Sequence, residues 1–126
     1  MTPRDVVVRY LSDVLGGARP ESADELIAND ELERRTNSLR SAFPDLEIEV
    51  PVVLADGGLV GCHIVGRGTH LGLFQGAPPT GRTWEARCTA VYRVEEGRIA
   101  DAWVTWDNLS LMEQIGAVER VATVSA

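Results

Sequence analysis

Residues 46–70, LEIEVPVVLADGGLVGCHIVGRGTH, decide the fold, because here the spacing of apolar residues changes from helical to alternating. Asp56-Gly57-Gly58 divides the stretch into two strands joined by a tight turn. Upstream, Val6, Val7, Tyr10, Leu11, Val14 and Leu15 recur at three- and four-residue steps, which predicts one face of a first helix ended by Gly16-Gly17. The segment ESADELIANDELERRTNSLRSAF, residues 21–43, offers Ser22 as a capping serine with Glu25 three residues on. It predicts a short helix and then a longer one closing at Phe43-Pro44. Downstream, GLFQGAPPTGR at 72–82 reads as loop because Gly and Pro dominate it. Trp84 to Val94 and Arg98 to Trp106 read as a third and a fourth strand around a Glu96-Gly97 turn. Leu109 to Ile115 reads as a final helix stopped by Gly116, and the last ten residues as a tail. Helices first and an antiparallel sheet afterwards, with no internal repeat, predict one α+β domain over 1–126. Its helical part is about 1–43, its sheet part about 46–107, and its C-terminal helix and tail 108–126.

The bulk chemistry narrows the partners. The chain is 44% hydrophobic and 25% charged, as in an ordinary globule, and 126 residues suffice for one core. A net charge of −7 with no basic run argues against nucleic acid and against anionic membrane surfaces, both of which select clustered Lys and Arg. MTPRDVVVRYLSDVLGG, with Arg9 and Asp13 interrupting its apolar residues, reads as neither a signal peptide nor a span, so a cytoplasmic protein is expected. Cys62 and Cys88 have no motif spacing and read as small buried hydrophobes. His63, His70 and the two cysteines do not converge as zinc ligands, since Cys62 and His63 point to opposite faces, and no metal is expected.

Strand alternation selects the residues that face a pocket. Val60, Cys62 and Ile64 share one parity, which continues through Gly66 and Gly68 to His70. On the third strand Trp84, Ala86, Cys88, Ala90 and Tyr92 form the inward set, and its small members leave room for a ligand. On the fourth strand both faces carry hydrophobes. The set Ile99, Trp103, Thr105 and Asp107 is taken as pocket-facing, with Ala102, Val104 and Trp106 behind it. Two roles fit Asp107. Among Trp103 and Ile99 its carboxyl would be raised in pKa toward acid/base work, whereas directly ahead of a helix it would cap free N–H groups.

GTHLGLFQGAPPTGR at 68–82, YRVEEGRIADAW at 92–103 and Asp107 ahead of LMEQIG resemble the SnoaL-like polyketide cyclase family, from about Phe43 to Gly116. The resemblance implies a cone-shaped curved antiparallel sheet, closed by N-terminal helices around a central pocket, as in the nuclear transport factor two and ketosteroid isomerase superfamily. It also implies homodimers through the sheet. The implied reaction is an aldol ring closure on a small apolar polyketide-like substrate, without metal or cofactor. Asp107 is then the general acid/base and His70 or a bound water polarises the developing oxygen, with Trp103, Phe74, Tyr92, Trp84 and Thr105 around the substrate; His70 fits equally a role of pinning the Gly-rich loop by hydrogen bonds. Three features depart from the family pattern: the helical segment before Phe43 carries no histidine, Ala90 stands where an acid is common, and His63 where arginine is common. Other expectations on the same scaffold are a binding domain without turnover, or an epoxide hydrolase, isomerase or hydroxylase. Arg67 and Arg82 are further candidates for holding a carboxylate or ester. Phe74 fits either a lid or a core plug, and Tyr10 reads as core.

Overall fold

The computed structural model describes residues 1–119; of the expected tail, residues 120–126 lie outside the described residues. Helix α1, Pro3–Arg9, starts at a capping box in which Thr2 and Asp5 satisfy each other's backbone N–H, with Pro3 pre-set for the first turn. It continues as a wider π turn over Tyr10–Leu15, closed by the Gly16 N–H on the Leu11 carbonyl at 2.8 Å. A 3₁₀ turn at Pro20–Ser22 leads into the short α2, Ala23–Leu26, and then α3, Asp30–Ala42. The expected cap at Ser22 is corrected: its hydroxyl makes no capping bond, and Asn29 caps α3 by accepting from the Leu32 N–H at 2.9 Å.

Four antiparallel strands follow in the order β1-β2-β3-β4: β1 Glu47–Asp56, β2 Leu59–Thr69, β3 Thr83–Glu95 and β4 Arg98–Trp106. Helix α4, Asn108–Gln114, closes the described chain. The sheet is curved and open, and α1, its π turn, α2 and α3 cover its concave side. Pro51, which has no N–H for a ladder, sits on the edge strand at an irregularity between Glu49 and Val52. Strand β3 alternates buried and exposed without a break over its whole length, as expected, with Trp84, Ala86, Cys88, Ala90 and Tyr92 inside. The two cysteines are buried and free. The 72–82 segment holds one ordered feature beyond loop. Phe74 and Ala77 pair across a two-residue turn whose central residues, Gln75 and Gly76, both take positive φ.

Strand β4 departs from simple alternation. Arg93 pairs with Asp101 but Val94 pairs with Ile99, so Ala100 is an extra residue in the ladder. Segment 27–29 holds this bulge. The Ala28 N–H donates to the Ile99 carbonyl at 2.9 Å, the Asn29 side-chain amide donates to the Ala100 carbonyl at 3.0 Å, and the Arg98 guanidinium donates to the Ile27 carbonyl at 2.7 Å. Ile99 is therefore inside, and beyond the bulge the parity reverses. Ala102, Val104 and Trp106 pack against the core, while Trp103 and Thr105 stand on the convex face. The pocket-facing set read from the sequence, Trp103, Thr105 and Asp107, is corrected accordingly. Trp106 lies over Gly66, where a Cβ would meet its ring at 2.8 Å, so that strand position has to be glycine for the indole to fit.

Candidate functional site

A cavity of about 640 Å³, within the range of ligand sites, lies between the sheet and the helices, and of the small inward residues of β3 only Cys88 lines it. Its floor and walls come from Ile64, Cys88, Tyr92, Val104 and Trp106 on the sheet, Tyr10 and Leu15 on the first helix, and Leu32, Thr36 and Leu39 on α3. Arg34, Arg35 and Ser38 of α3, with Leu73, Gln75 and Asn108 opposite, border its mouth. Gln75 and Asn108 exchange two amide hydrogen bonds, at 3.2 and 3.0 Å, which tie the tip of the 72–82 loop to the start of α4. Phe74 is both lid and plug: it lines the cavity and packs on Phe43 at 5.0 Å between ring centroids.

Two tyrosines carry the polar chemistry inside. Thr36 spends its hydroxyl proton on the Leu32 carbonyl at 2.8 Å, so in the 2.7 Å contact between Tyr10 and Thr36 the tyrosine is the donor. Tyr10, read from the sequence as core, is thus both core and cavity wall. Tyr92 packs edge-on against Tyr10 at 5.6 Å, and its hydroxyl has no hydrogen-bond partner among the described residues. It does not count among the fully enclosed orphan atoms either, which are His70 Nε2 and Trp84 Nε1. Burial pushes Tyr10 up to about 12, partly offset by the Thr36 hydrogen bond, and holds Tyr92 well above the ordinary phenol range. Both remain O–H groups near neutral pH. Burial also raises the Cys88 thiol to about 12 and that of neighbouring Cys62 to about 11, so neither supplies a thiolate.

The residues singled out from the sequence separate in space. Asp107 is exposed and outside the cavity lining; its carboxylate accepts from the Ser110 N–H at 3.2 Å and caps α4. Of the two roles that fitted it, the structure displays the cap, and the dry hollow expected around it is absent. Trp103, expected beside it, is 57% exposed on the convex face, where it pairs with Val91. Thr105 has the same outward parity and is exposed, yet it is among the residues that line the cavity. Asp101 is bound to Arg93 on that face.

His70 is fully buried, as its parity predicted, but stands beside the cavity lining rather than in it. Its Nδ1 lies 3.3 Å from the Thr80 backbone nitrogen and 3.1 Å from the Thr80 hydroxyl, and these contacts pin the 72–82 loop. Trp84 is likewise buried next to Phe43 and outside the lining. Arg67 bridges Glu85 and Glu49 away from the cavity, and Arg82 is not in the lining. Phe74, Tyr92 and Thr105 are the expected substrate residues that do line it. Sequence reading missed the contribution of α3. The signal was there: Leu32, Thr36, Leu39 and Phe43 recur at three- and four-residue steps, which aims one stripe of that charged helix inward and sets Arg35 on its flank.

The architecture is an α+β one: a curved, open antiparallel sheet with helices on its concave side and a cavity between them. The family profile of the SnoaL-like polyketide cyclases matches residues 5–115, and the chain belongs to that family. Among solved structures it is similar to IdmH of Streptomyces antibioticus, a protein described as a polyketide cyclase, with 27% identity and a TM-score of 0.76 over 92% of this chain and 99% of that one. AclR of Streptomyces galilaeus shares 19% identity and a TM-score of 0.80 over 97% of this chain and 85% of that one. A SnoaL-like polyketide cyclase of Agrobacterium tumefaciens shares 19% identity and a TM-score of 0.74 over 92% and 99%. The last two carry the fold alone. No curated protein matches the chain. Among the described residues, no helix is long and apolar enough to cross a membrane.

Proposed function

We propose that this chain is a cyclase-like protein that folds a flexible, largely apolar polyketide-type molecule inside the cavity so that two of its carbons meet. The observation that carries the reading is the Tyr92 hydroxyl, without a partner among the described residues, in a cavity of about 640 Å³ whose inner wall is mostly apolar. In an intramolecular aldol closure a C–H next to a carbonyl gives its proton to water at the mouth. The resulting enolate carbon bonds to a second carbonyl carbon while the π pair of that C=O moves onto its oxygen, and the oxygen then takes back the proton that the water carried. Tyr92, kept as O–H by burial, donates to that oxygen as charge develops. Holding both carbons in place supplies the larger share, up to roughly 7–11 kcal/mol in well-oriented intramolecular reactions.

The test is the rate of ring closure of a linear poly-β-carbonyl methyl ester, with and without protein. Tyr92→Phe is expected to lower kcat by about 10²-fold, the usual effect of losing one such donor, while Asp107→Asn stays within about twofold of wild type. Loss of activity in Asp107→Asn with Tyr92→Phe intact would return the acid/base role to the aspartate. Among the described residues the lining contains no carboxylate and no imidazole. That observation favours a second reading, binding without turnover, in which ligand affinity persists and no rate enhancement is found.

A cytoplasmic homodimer belongs to the same proposal. Leu54, Val91 and Trp103 lie in one cross-strand row on the convex face, joined through Gly61, with Val52 beside them, and all four are exposed. A second copy covering this row would remove Trp103 and three further exposed apolar side chains from water. Sedimentation of Trp103→Asp is expected to give monomer; a wild type already monomeric at high concentration removes the dimer.

A further inference from the structure

We infer that the cavity is built for an amphipathic organic anion, with an apolar ring body inside and one oxygen-borne negative charge held at the mouth by Arg35, assisted by Arg34. This deepens the ligand reading above and rests on it. The first support is the charge inventory of the lining. Among the described residues the ionisable ones that line it are Tyr10, Tyr92, Cys88, Arg34 and Arg35, so every full charge they bring to the cavity is positive. Burying a ligand's negative charge near such a wall is less costly than burying it in an apolar one.

The second support is that the two arginines are uncommitted. Arg67 and Arg93 bridge carboxylates, and Arg40 and Arg98 donate to backbone carbonyls. Among the described residues no ion pair or side-chain hydrogen bond includes Arg34 or Arg35. Arg34 is shared with a neighbouring groove that also carries Asp30 and Glu33, so part of its charge is answered there. Arg35 has the better claim. It sits three residues after Leu32 and four before Leu39, both of which line the cavity, and that spacing keeps the three on one side of α3.

The third support is that the positive field reaches the interior. Against the dominant effect of burial, Arg35 eases ionisation of Tyr10 on the first helix and of Tyr92 and Cys88 on β3, three groups around the cavity. A ligand oxygen placed among them would feel the same pull. The whole chain, at −7, repels anions at long range, but that repulsion is screened beyond about 8–10 Å in physiological salt. A local cation pair at the aperture is what admits such a ligand. A guanidinium is also suited to oxygen anions, because its planar donors match two oxygens at once.

Two fluorescent probes with the same aromatic body test this: anionic 8-anilinonaphthalene-1-sulfonate and neutral N-phenyl-1-naphthylamine. Wild-type protein is expected to bind the anion at least about tenfold more tightly, equivalent to about 1.4 kcal/mol. Arg35→Gln should erase most of that ratio while changing affinity for the neutral probe by less than about twofold. Ser38→Trp, an exposed change at the mouth, should weaken both probes together. Equal affinity for the two probes, or an Arg35→Gln effect shared by both, overturns the anion inference and leaves the cavity reading standing. If neither probe binds, or Ser38→Trp alters neither, the cavity itself is not a ligand site and both readings fall.

Discussion

Strands β3 and β4 are neighbours of similar composition, yet one can be read by parity and the other cannot. Along β3 every second residue from Trp84 to Val94 is buried. Along β4 the alternation holds only as far as Ile99, after which the extra residue Ala100 turns Trp103 out and Trp106 in. Both indoles sit on one nine-residue strand, and a single inserted residue decides which of them meets the cavity. The lesson is physical. Alternation is local to each strand, but a bulge survives only where something else satisfies the groups it frees. Here the partners of Ile99 and Ala100 come from segment 27–29, about seventy residues earlier.

The difference between the strands can be broken experimentally. The largest effect is expected for Trp84→Ala on the regular strand, a loss of about 3–5 kcal/mol in urea unfolding, because the ring is buried against Phe43 and Trp106. Trp103→Ala, measured where the chain is monomeric, should stay within about 0.5 kcal/mol. Equal losses at the two positions would mean that Trp103 is packed inside after all.

Next comes the clamp on the bulge. Asn29→Ala removes both the cap of α3 and the donor to the Ala100 carbonyl, and should cost about 1–3 kcal/mol. Asn29→Asp keeps a capping oxygen but has no amide to donate, so it should fall between alanine and wild type. An Asn29→Ala variant as stable as wild type would show that the bulge needs no outside partner.

At the end of β4 the effect should be smaller. Asp107→Ala is expected to lose about 1 kcal/mol of stability through the missing cap, and Asp107→Asn almost nothing, since asparagine caps as well as aspartate. The smallest effect is chemical. In the folded protein Cys62 and Cys88 on β2 and β3 should resist alkylation near pH 8 and react readily once urea unfolds the chain. Their folded values lie above the ordinary thiol value, so the stability they contribute is complete below about pH 9 and is lost as pH rises toward 11–12. Tyr10 and Tyr92 add to the same alkaline loss from about pH 10. A protein whose unfolding midpoint is flat from pH 8 to pH 11 would contradict that burial.

Much of the site was legible for the same reason β3 was. Tyr92, Cys88 and Ala90 share one face by strict alternation, and Phe74 belongs to a loop whose Gly and Pro content set it apart. His70 followed from the parity of β2 through Gly66 and Gly68, although its ring went to Thr80 rather than to the cavity. Asp107 was ambiguous from the start, because a strand end and a helix start coincide there and both demands fall on one carboxylate. Arg35 went unnoticed because a charge-rich helix looks solvated all round until the sheet it covers is known.

The sequence alone determined the order of the elements, the two tight turns at Asp56-Gly57-Gly58 and Glu96-Gly97, the family and the buried half of β3. Those follow from residue periodicity and from the backbone preferences of Gly and Pro, which act over a few neighbours. Only the tertiary structure decided which tryptophan of β4 faces inward, that α3 supplies the mouth of the cavity, and that Asp107 caps a helix in the open. Those depend on partners far apart in the chain, which meet only when the helices close over the sheet.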